Sequence, residues 1–244
     1  MRGGERNGAD AGVKRKLVLF DIDGTILLSA GAGRRAIFAA LTEHVPSSTA
    51  IEGFRFDGKT DPQIVMELLA ASGDPAPHDP ARIAAVLDRY VAHLQQELAL
   101  HGHRSHLMPG IAELLDALEA DAGVVLGLLT GNVATGARLK LRAAGIDAGR
   151  FALGAFGSDH AERAELPKVA VRRAEPFFGR IPSGAEVVII GDTPADVTCG
   201  ACVGARAVAV ATGGFSVAEL EAAGAHAVFR DFSDLARARE AILS

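Results

Sequence analysis

Short apolar runs that end abruptly in polar residues are the feature that most constrains the fold of this 244-residue chain. The first is KLVLF, from Lys16 to Phe20, and DIDGT follows it at once. Further runs lie at 124–129, 187–190 and 207–210, each with Thr, Gly or Asp within two residues and then a helix-like stretch. Continuous apolar runs are typical of buried parallel strands, and their alternation with helices predicts an α/β fold with a doubly wound parallel sheet, a Rossmann-like core. Ligands bind such sheets beyond the carboxyl ends of the strands, where these polar clusters fall.

The segment between the first and second runs predicts a helical insertion, because almost no strand-like run occurs from about Ser29 to Met108. Its clearest helix is predicted over Asp79 to Leu100, with Asp79 as N-cap, since apolar residues recur there every 3.6 residues. The apolar stripe consists of Ile83, Val86, Leu87, Tyr90, Leu94 and Leu98. A second helix is predicted at DPQIVMELL, with Asp61 as its N-cap.

The start of the chain, MRGGERNGADAGVKRK, is Gly-rich and charged and has no apolar stretch behind it. It predicts a flexible tail rather than a targeting segment. We therefore expect three parts: a tail over residues 1–15, an α/β core over 16–28 and 107–244, and a helical insertion over 29–106.

Charge and composition exclude several classes of protein. With 25 Lys and Arg against 30 Asp and Glu, the formal charge is −5, so no global positive field can hold a nucleic acid backbone. No apolar run approaches the roughly 20 residues of a membrane span. The only cysteines, Cys199 and Cys202, are too few for a disulfide framework, and we expect small buried thiols within a helix rather than a redox or zinc site. These features favour a cytoplasmic protein, a monomer or homodimer, that binds a small molecule.

Two acids end the first run, and their spacing indicates paired chemistry. Asp21 and Asp23 lie two residues apart, so both carboxylates lie on one side of an extended chain while Ile22 points away. One carboxylate can attack phosphorus, and the second can protonate the leaving oxygen and later deprotonate water. Gly24 and Thr25 can then turn amide donors toward the phosphoryl oxygens. The alternative is a strand-to-helix turn in which the acids only cap a helix.

Two more polar clusters follow later strands. Thr130, Gly131 and Asn132 offer a hydroxyl, bare amides and a carboxamide, which together make a neutral phosphate cradle. Asp192 ends the third run, and Asp196 lies one helical turn further on; Asp192 can reach a hard cation beside Asp21. Each cluster alone also fits an ordinary N-cap. All three lie at strand ends of one predicted sheet, however, which favours a shared site.

DIDGT, LLTGN and GDTPAD, in this order and with a helical insertion after the first, resemble the haloacid dehalogenase superfamily, particularly its phosphoglycolate-phosphatase-like branch. The resemblance extends from Lys16 to the end of the chain. It implies a Mg²⁺-dependent phosphomonoesterase with the insertion as a cap. It also implies the following roles: Asp21 as nucleophile and metal ligand, Asp23 as acid/base and metal ligand through its backbone carbonyl, Thr130 as phosphate ligand, Asp192 as metal ligand, and Asp196 as support for the metal.

The chain departs from the family pattern at one position. The family has a basic residue, normally Lys before Pro, ahead of the helix that precedes the third cluster. The segment GSDHAERAELPKVAVRRAE lacks that pair and leaves Arg163 and Lys168 as candidates. If Pro167 is the first helical residue, Arg163 lies in the preceding loop and Lys168 in the first turn, so we favour Arg163.

The segment FRFDGKTDPQ resembles the cap segment of the phosphoglycolate-phosphatase-like branch. Lys59, with Arg55 and Thr60, could bind a second anionic group of the substrate, as in 2-phosphoglycolate. The alternative is a solvent-facing Lys59 and a cap that accepts many phosphate esters. A phosphomutase acting on a sugar phosphate, which would use the same core, is a second candidate function, and a non-catalytic binding module is a third.

Overall fold

A parallel sheet of six strands forms the centre of the part that the computed structural model describes, residues 15–45 and 53–244, with strand order β5-β4-β1-β6-β7-β8. The strands of this sheet and of a separate two-stranded ribbon are β1 (Lys16–Phe20), β2 (Leu27–Leu28), β3 (His106–Leu107), β4 (Val124–Thr130), β5 (Leu153–Phe156), β6 (Val187–Gly191), β7 (Arg206–Val210) and β8 (Ala227–Phe229). The helices are α1 (Ala32–Thr42), α2 (Asp61–Ala71), α3 (Pro80–His101), α4 (Ile111–Glu119), α5 (Ala134–Ala143), α6 (Leu166–Phe178), α7 (Pro194–Cys199), α8 (Val217–Ala222) and α9 (Leu235–Leu243). The predicted tail lies almost entirely in residues 1–14, outside the described residues.

Helices cover both faces of the sheet, as the apolar runs predict. Along β1, Val18 and Phe20 pack with side chains of α4, α5 and α9, whereas Leu17 and Leu19 pack with side chains of α6 and α7. All four are fully buried. A strand that is apolar on both faces needs this arrangement, so the predicted doubly wound α/β fold is confirmed.

The register of the central strands brings the polar clusters to one edge. Phe20 pairs with Leu128 of β4 on one side and with Ile190 of β6 on the other. Asp21 follows Phe20 directly, while Thr130 and Asp192 each lie two residues beyond its partners. Their side chains therefore start from one edge of the sheet.

Three helices make up most of the described part of the insertion. Helices α1, α2 and α3 share one apolar cluster, in which Val86, Tyr90 and Leu94 of the predicted stripe are fully buried and its other members partly buried. Val133 of the core belongs to the same cluster. A ribbon of β2 and β3 joins insertion and core, with Leu28 paired to His106 at the predicted limits of the insertion.

Two predicted helix starts need correction. Thr60, and not Asp61, is the N-cap of α2, because its side chain accepts a hydrogen bond from the amide of Gln63. Pro167 is the second residue of α6 and not the first. The N-cap role of Asp79 is confirmed by a 3.1 Å bond from the amide of Ala81.

The two cysteines also differ from the prediction of a shared helix. Helix α7 ends at Cys199, which is buried, and a 3₁₀ turn carries Cys202, which is exposed, so the prediction of buried thiols holds for Cys199 and is wrong for Cys202. Both are free thiols. Within residues 15–45 and 53–244, no helix has both the length and the apolar character that a membrane crossing requires.

Candidate active site

Asp21 lies at the carboxyl edge of the sheet beside a buried arginine. Its side chain is 8% exposed, and its Oδ1 lies 3.2 Å from Nη2 of Arg163. Arg163 comes from a 3₁₀ turn just before α6, is equally buried, and also pairs with Asp196. Burial raises the pKa of Asp21 to about 6, and the guanidinium of Arg163 opposes that rise. The structure thus brings Arg163 to Asp21, whereas Lys168 lies on α6 in an ion pair with Glu165.

Three carboxylates converge at this point. Oxygen atoms of Asp21, Asp192 and Asp196 lie within 4.8 Å of one another, and all three residues are buried. Burial raises the pKa of Asp192, and the neighbouring Asp196 and Asp21 raise it further. Oxygen donors of this kind fit Mg²⁺, and a divalent cation would offset the repulsion among them.

Two glycines make room for the Asp192 carboxylate. A Cβ atom at Gly24, whose φ is +84°, would lie 2.3 Å from Oδ2 of Asp192, and one at Gly213 would lie 1.7 Å from it. The hydroxyl of Thr25 donates to the other oxygen, Oδ1, at 3.2 Å. The amides of Gly24 and Thr25, predicted to face phosphoryl oxygens, instead donate to the carbonyls of Leu27 at 2.9 Å and Ile22 at 3.3 Å, because the turn closes on itself. Gly24 thus makes room for Asp192, and the part of Gly213, which lies beyond β7, is not evident from the motifs.

Asp23 lies next to this cluster but has different partners. Its Oδ2 accepts hydrogen bonds from Nδ2 of Asn132 at 2.8 Å and from Nζ of Lys140 at 2.6 Å. Lys140 Nζ also donates to Oδ1 of Asn132 at 2.6 Å. Sequence reasoning missed Lys140, because RLKLRAA looks like a solvated helix face. The signal in the sequence was its spacing, because Lys140 falls between Ala137 and Leu141, two apolar residues four positions apart on one helix face. In the structure both are fully buried on the inward side of α5.

Residues 18–201 match the family model for haloacid dehalogenase-like hydrolases. The chain belongs to that family. The predicted resemblance is thereby confirmed at the level of the family. A comparison with curated proteins gives no match.

Solved structures of the same fold extend over nearly all of this haloacid dehalogenase-like hydrolase. A hydrolase from Pseudomonas syringae has a TM-score of 0.69 at 22% identity and covers 93% of this chain and 98% of its own. A predicted phosphoglycolate phosphatase from Haemophilus somnus 129pt has a TM-score of 0.68 at 21% identity, with 92% and 98% covered. CbbY from Rhodobacter sphaeroides, solved with phosphate, has a TM-score of 0.67 at 21% identity, with 91% and 96% covered. At these identities the likeness concerns the fold.

In this hydrolase the LLTGN segment contacts the insertion as well as the site. The carbonyl of Gly131 accepts a bond from the amide of Asp61 at 2.7 Å, and a Cβ at Gly131 would lie 2.2 Å from the carbonyl oxygen of Lys59. Oδ2 of Asp61 accepts from the amide of Val133 at 2.8 Å. Burial raises the pKa of Asp61 to about 6, with Lys140 opposing the rise. Asp61, predicted as the cap of its own helix, thus binds the start of a core helix instead.

Thr130 and Asn132 remain with the acids. Thr130 is fully buried, and its Oγ1 accepts from Nδ2 of Asn132 at 2.8 Å. Asn132 therefore links Thr130 to Asp23 through one amide nitrogen.

A cavity of about 250 Å³ lies between core and insertion. The predicted residues Asp21, Asp23, Thr130, Gly131, Asn132, Arg163, Asp192 and Lys59 all line it. The insertion contributes apolar and aromatic side chains as well as charged ones; these are Ile37, Phe56, Ile64 and Tyr90, with Arg34, Asp57, Lys59 and Asp61. Lys59 pairs with Glu67, and its Nζ lies 4.3 Å from the ring centre of Phe54. Arg55 is exposed and pairs with Asp57 at 3.3 Å.

Proposed function

We propose that this hydrolase is a Mg²⁺-dependent phosphatase, which splits small phosphomonoesters through an aspartyl phosphate at Asp21. One observation carries the proposal: a buried aspartate at a strand end faces two further buried carboxylates, Asp192 and Asp196, and a buried guanidinium, Arg163. The acids supply hard oxygen ligands for a cation, and the guanidinium supplies donors for an anion.

Each acid has its own role in the two steps of the reaction: Asp21 forms the bond to phosphorus, and Asp23 transfers protons. A carboxylate oxygen of Asp21 attacks phosphorus, the bond from phosphorus to the alcohol oxygen breaks, and Asp23 gives its proton to that oxygen. Water then attacks phosphorus, its proton passes to Asp23, and the bond between phosphorus and Asp21 breaks to release inorganic phosphate. The carboxylates of Asp21 and Asp192, the backbone carbonyl of Asp23 and, through support, Asp196 would hold Mg²⁺, which would neutralise charge on the phosphoryl group and the acids.

Arg163 has an unused donor that suits a phosphoryl oxygen. Its Nε is buried, yet no described residue accepts a hydrogen bond from it. Buried donors are rarely left unpaired, so an acceptor supplied by the substrate accounts for this atom. The hydroxyl of Thr130 and the amide of Gly131, both of which line the cavity, are the neutral donors of the proposed site.

The cavity size favours a small substrate, and 2-phosphoglycolate is the candidate we propose. Its volume of about 250 Å³ accommodates a phosphoryl group with a short tail. Lys59 could meet the carboxylate of 2-phosphoglycolate, although its ion pair with Glu67 must then rearrange. The similarity to a predicted phosphoglycolate phosphatase of Haemophilus somnus agrees with this choice. A cytoplasmic location and a monomeric or homodimeric state stay predictions.

A Mg²⁺-dependent screen of small phosphate esters, including 2-phosphoglycolate and sugar phosphates, tests the proposal. We expect release of inorganic phosphate that stops on chelation and is restored by Mg²⁺. Conversion of a sugar phosphate into its isomer without phosphate release would indicate a phosphomutase. Full activity after exhaustive chelation would reject the metal requirement.

A further inference from the structure

Lys140 is a buried lysine that the proposed chemistry does not yet use. It lies on α5 and is 5% exposed, and its ammonium donates to Oδ2 of Asp23 and to Oδ1 of Asn132, both at 2.6 Å. An ammonium in the interior is costly unless charged or polar partners surround it. These two contacts therefore fix where Nζ lies.

Carboxylates from both sides keep the Lys140 ammonium charged. Burial lowers the pKa of Lys140, but Asp23 of the core and Asp61 of the insertion outweigh burial, so the pKa lies above its usual value. The insertion also closes the space around the ammonium. A Cβ at Gly33, in the first turn of α1, would lie 3.2 Å from Nζ and 3.4 Å from Cε of Lys140.

Asp23, by contrast, is the exposed member of the pair. Its side chain is 39% exposed, whereas that of Lys140 is 6% exposed. Both Lys140 and Asn132 bind the same oxygen, Oδ2, and no described residue donates a hydrogen bond to Oδ1. A carboxylate held through one oxygen keeps a fixed rotamer while the other oxygen stays available.

We infer that Lys140 is a positioning residue that fixes the Asp23 carboxylate, so that Oδ1 meets the leaving oxygen of the substrate. Asn132 shares this task, and Gly33 gives the ammonium the room that it needs. The inference rests on the proposed phosphatase function and deepens it. Lys140 itself touches neither phosphorus nor the leaving oxygen.

The inference predicts a dependence on the leaving group. An alkoxide leaves only when it receives a proton, whereas p-nitrophenolate leaves without one. Misplacement of Asp23 should therefore slow an alkyl phosphate much more than p-nitrophenyl phosphate. The comparison is made on kcat/KM, because this parameter covers the steps up to departure of the leaving group and not the later hydrolysis of the aspartyl phosphate.

The experiment measures kcat/KM with Mg²⁺ for p-nitrophenyl phosphate and for the best alkyl phosphate of the ester screen. In Lys140→Met we expect a loss of about tenfold or more for the alkyl ester and of about threefold or less for the aryl ester. Asp23→Asn serves as reference and should show the same pattern with a larger loss. The matched control is Arg138→Met, an exposed cation two residues earlier on the same helix, which should change neither value.

A second variant tests position without removing charge. Gly33→Ala places a methyl group against the ammonium and also favours helix α1, so its fold should persist even if Lys140→Met fails to fold. A shift of a few tenths of an ångström should cost about threefold for the alkyl ester, with the aryl ester unchanged.

Equal losses for both esters in Lys140→Met, or in Gly33→Ala if that is the folded variant, would overturn the inference, because they would indicate a merely structural role. Unchanged kinetics would overturn it as well. Absence of phosphate release from every ester by the wild-type protein would instead reject the proposed function.

Discussion

Two buried aspartates, Asp21 and Asp61, have the same raised pKa, about 6, but lie in regions that differ in their balance of charge. Burial is the main cause for both, and a buried cation opposes it in each case, Arg163 beside Asp21 and Lys140 near Asp61. Asp21 stands at a strand end in the core. Asp61 stands where the insertion meets the core.

The surroundings of the two aspartates differ in charge. Asp21 and Asp196 pair with one guanidinium and Asp192 lies beside them, so the strand-end cluster carries an excess of negative charge that a divalent cation can neutralise. Around Lys140 the excess is smaller, and Asp61 also accepts the amide of Val133. A raised pKa alone therefore does not identify a reactive group. The charge surplus distinguishes the candidate active site from a contact that holds two parts of the molecule together.

We expect the largest loss of activity from a substitution of the proposed nucleophile, which lies in the strand-end region. Asp21→Asn should lower kcat for phosphate release by more than about 10⁴-fold, because an amide cannot attack phosphorus. The shape is nearly unchanged and a buried charge is removed, so the thermal unfolding midpoint should not fall below that of the wild type. Near-normal turnover by Asp21→Asn would contradict the proposal that Asp21, unlike Asp61, is a reactive group.

Alanine variants of Arg163 and Lys168 test which basic residue of the strand-end region binds the phosphoryl group. Arg163→Ala should lower kcat by about a hundredfold or more, since it removes donors for the phosphoryl group from a buried site. Lys168→Ala should stay within about twofold, since Lys168 pairs with Glu165 away from Asp21. Steady-state kinetics of both variants checks this, and a collapse in Lys168→Ala alone would reverse the assignment.

Motif order and strand ends were enough to predict the strand-end cluster. β1, β4, β6 and β7 were predicted within one residue at each end, because their runs are continuous and apolar. β5 and β8 were missed. They are the two outer strands of the sheet, and LGAF and AVF are too short to show a pattern.

The contact between insertion and core could not be read from the sequence in the same way. Asp61 has the features of an N-cap, yet it binds the amide of Val133, 72 residues away. Lys140 meets Asp23 across 117 residues. Such pairs depend on how one set of helices packs against another, which local spacing does not encode.

Magnesium should stabilise the strand-end region selectively. A cation at 100 times its dissociation constant adds about 2.7 kcal/mol to stability, which for a chain of this size raises the Tm by about 5–10 °C. Asp192→Asn should reduce this shift sharply, whereas Asp61→Asn should retain it. Thermal unfolding with and without Mg²⁺ measures both, and equal shifts in the two variants would contradict the proposed metal ligands.

The smallest effect concerns pH and Asp61. Because the folded-state pKa, about 6, exceeds the ordinary value of 3.8, stability is lost as the pH rises from 3.8 through 6. Between pH 4.5 and 7.5 the loss amounts to about 2 kcal/mol. Asp61→Asn should lack this loss, so its stability relative to the wild type should improve by that amount over the same range. Urea unfolding at both pH values checks the sign.

The covalent intermediate at Asp21 is the central claim, and chemical trapping tests it most directly. The protein is mixed with Mg²⁺ and its best ester, quenched in acid and treated with borohydride, which reduces an aspartyl phosphate to homoserine. Peptide mass spectrometry should then find homoserine at position 21 and an unaltered Asp61. Phosphate release without any reduction at position 21, or reduction at another aspartate, would contradict the account.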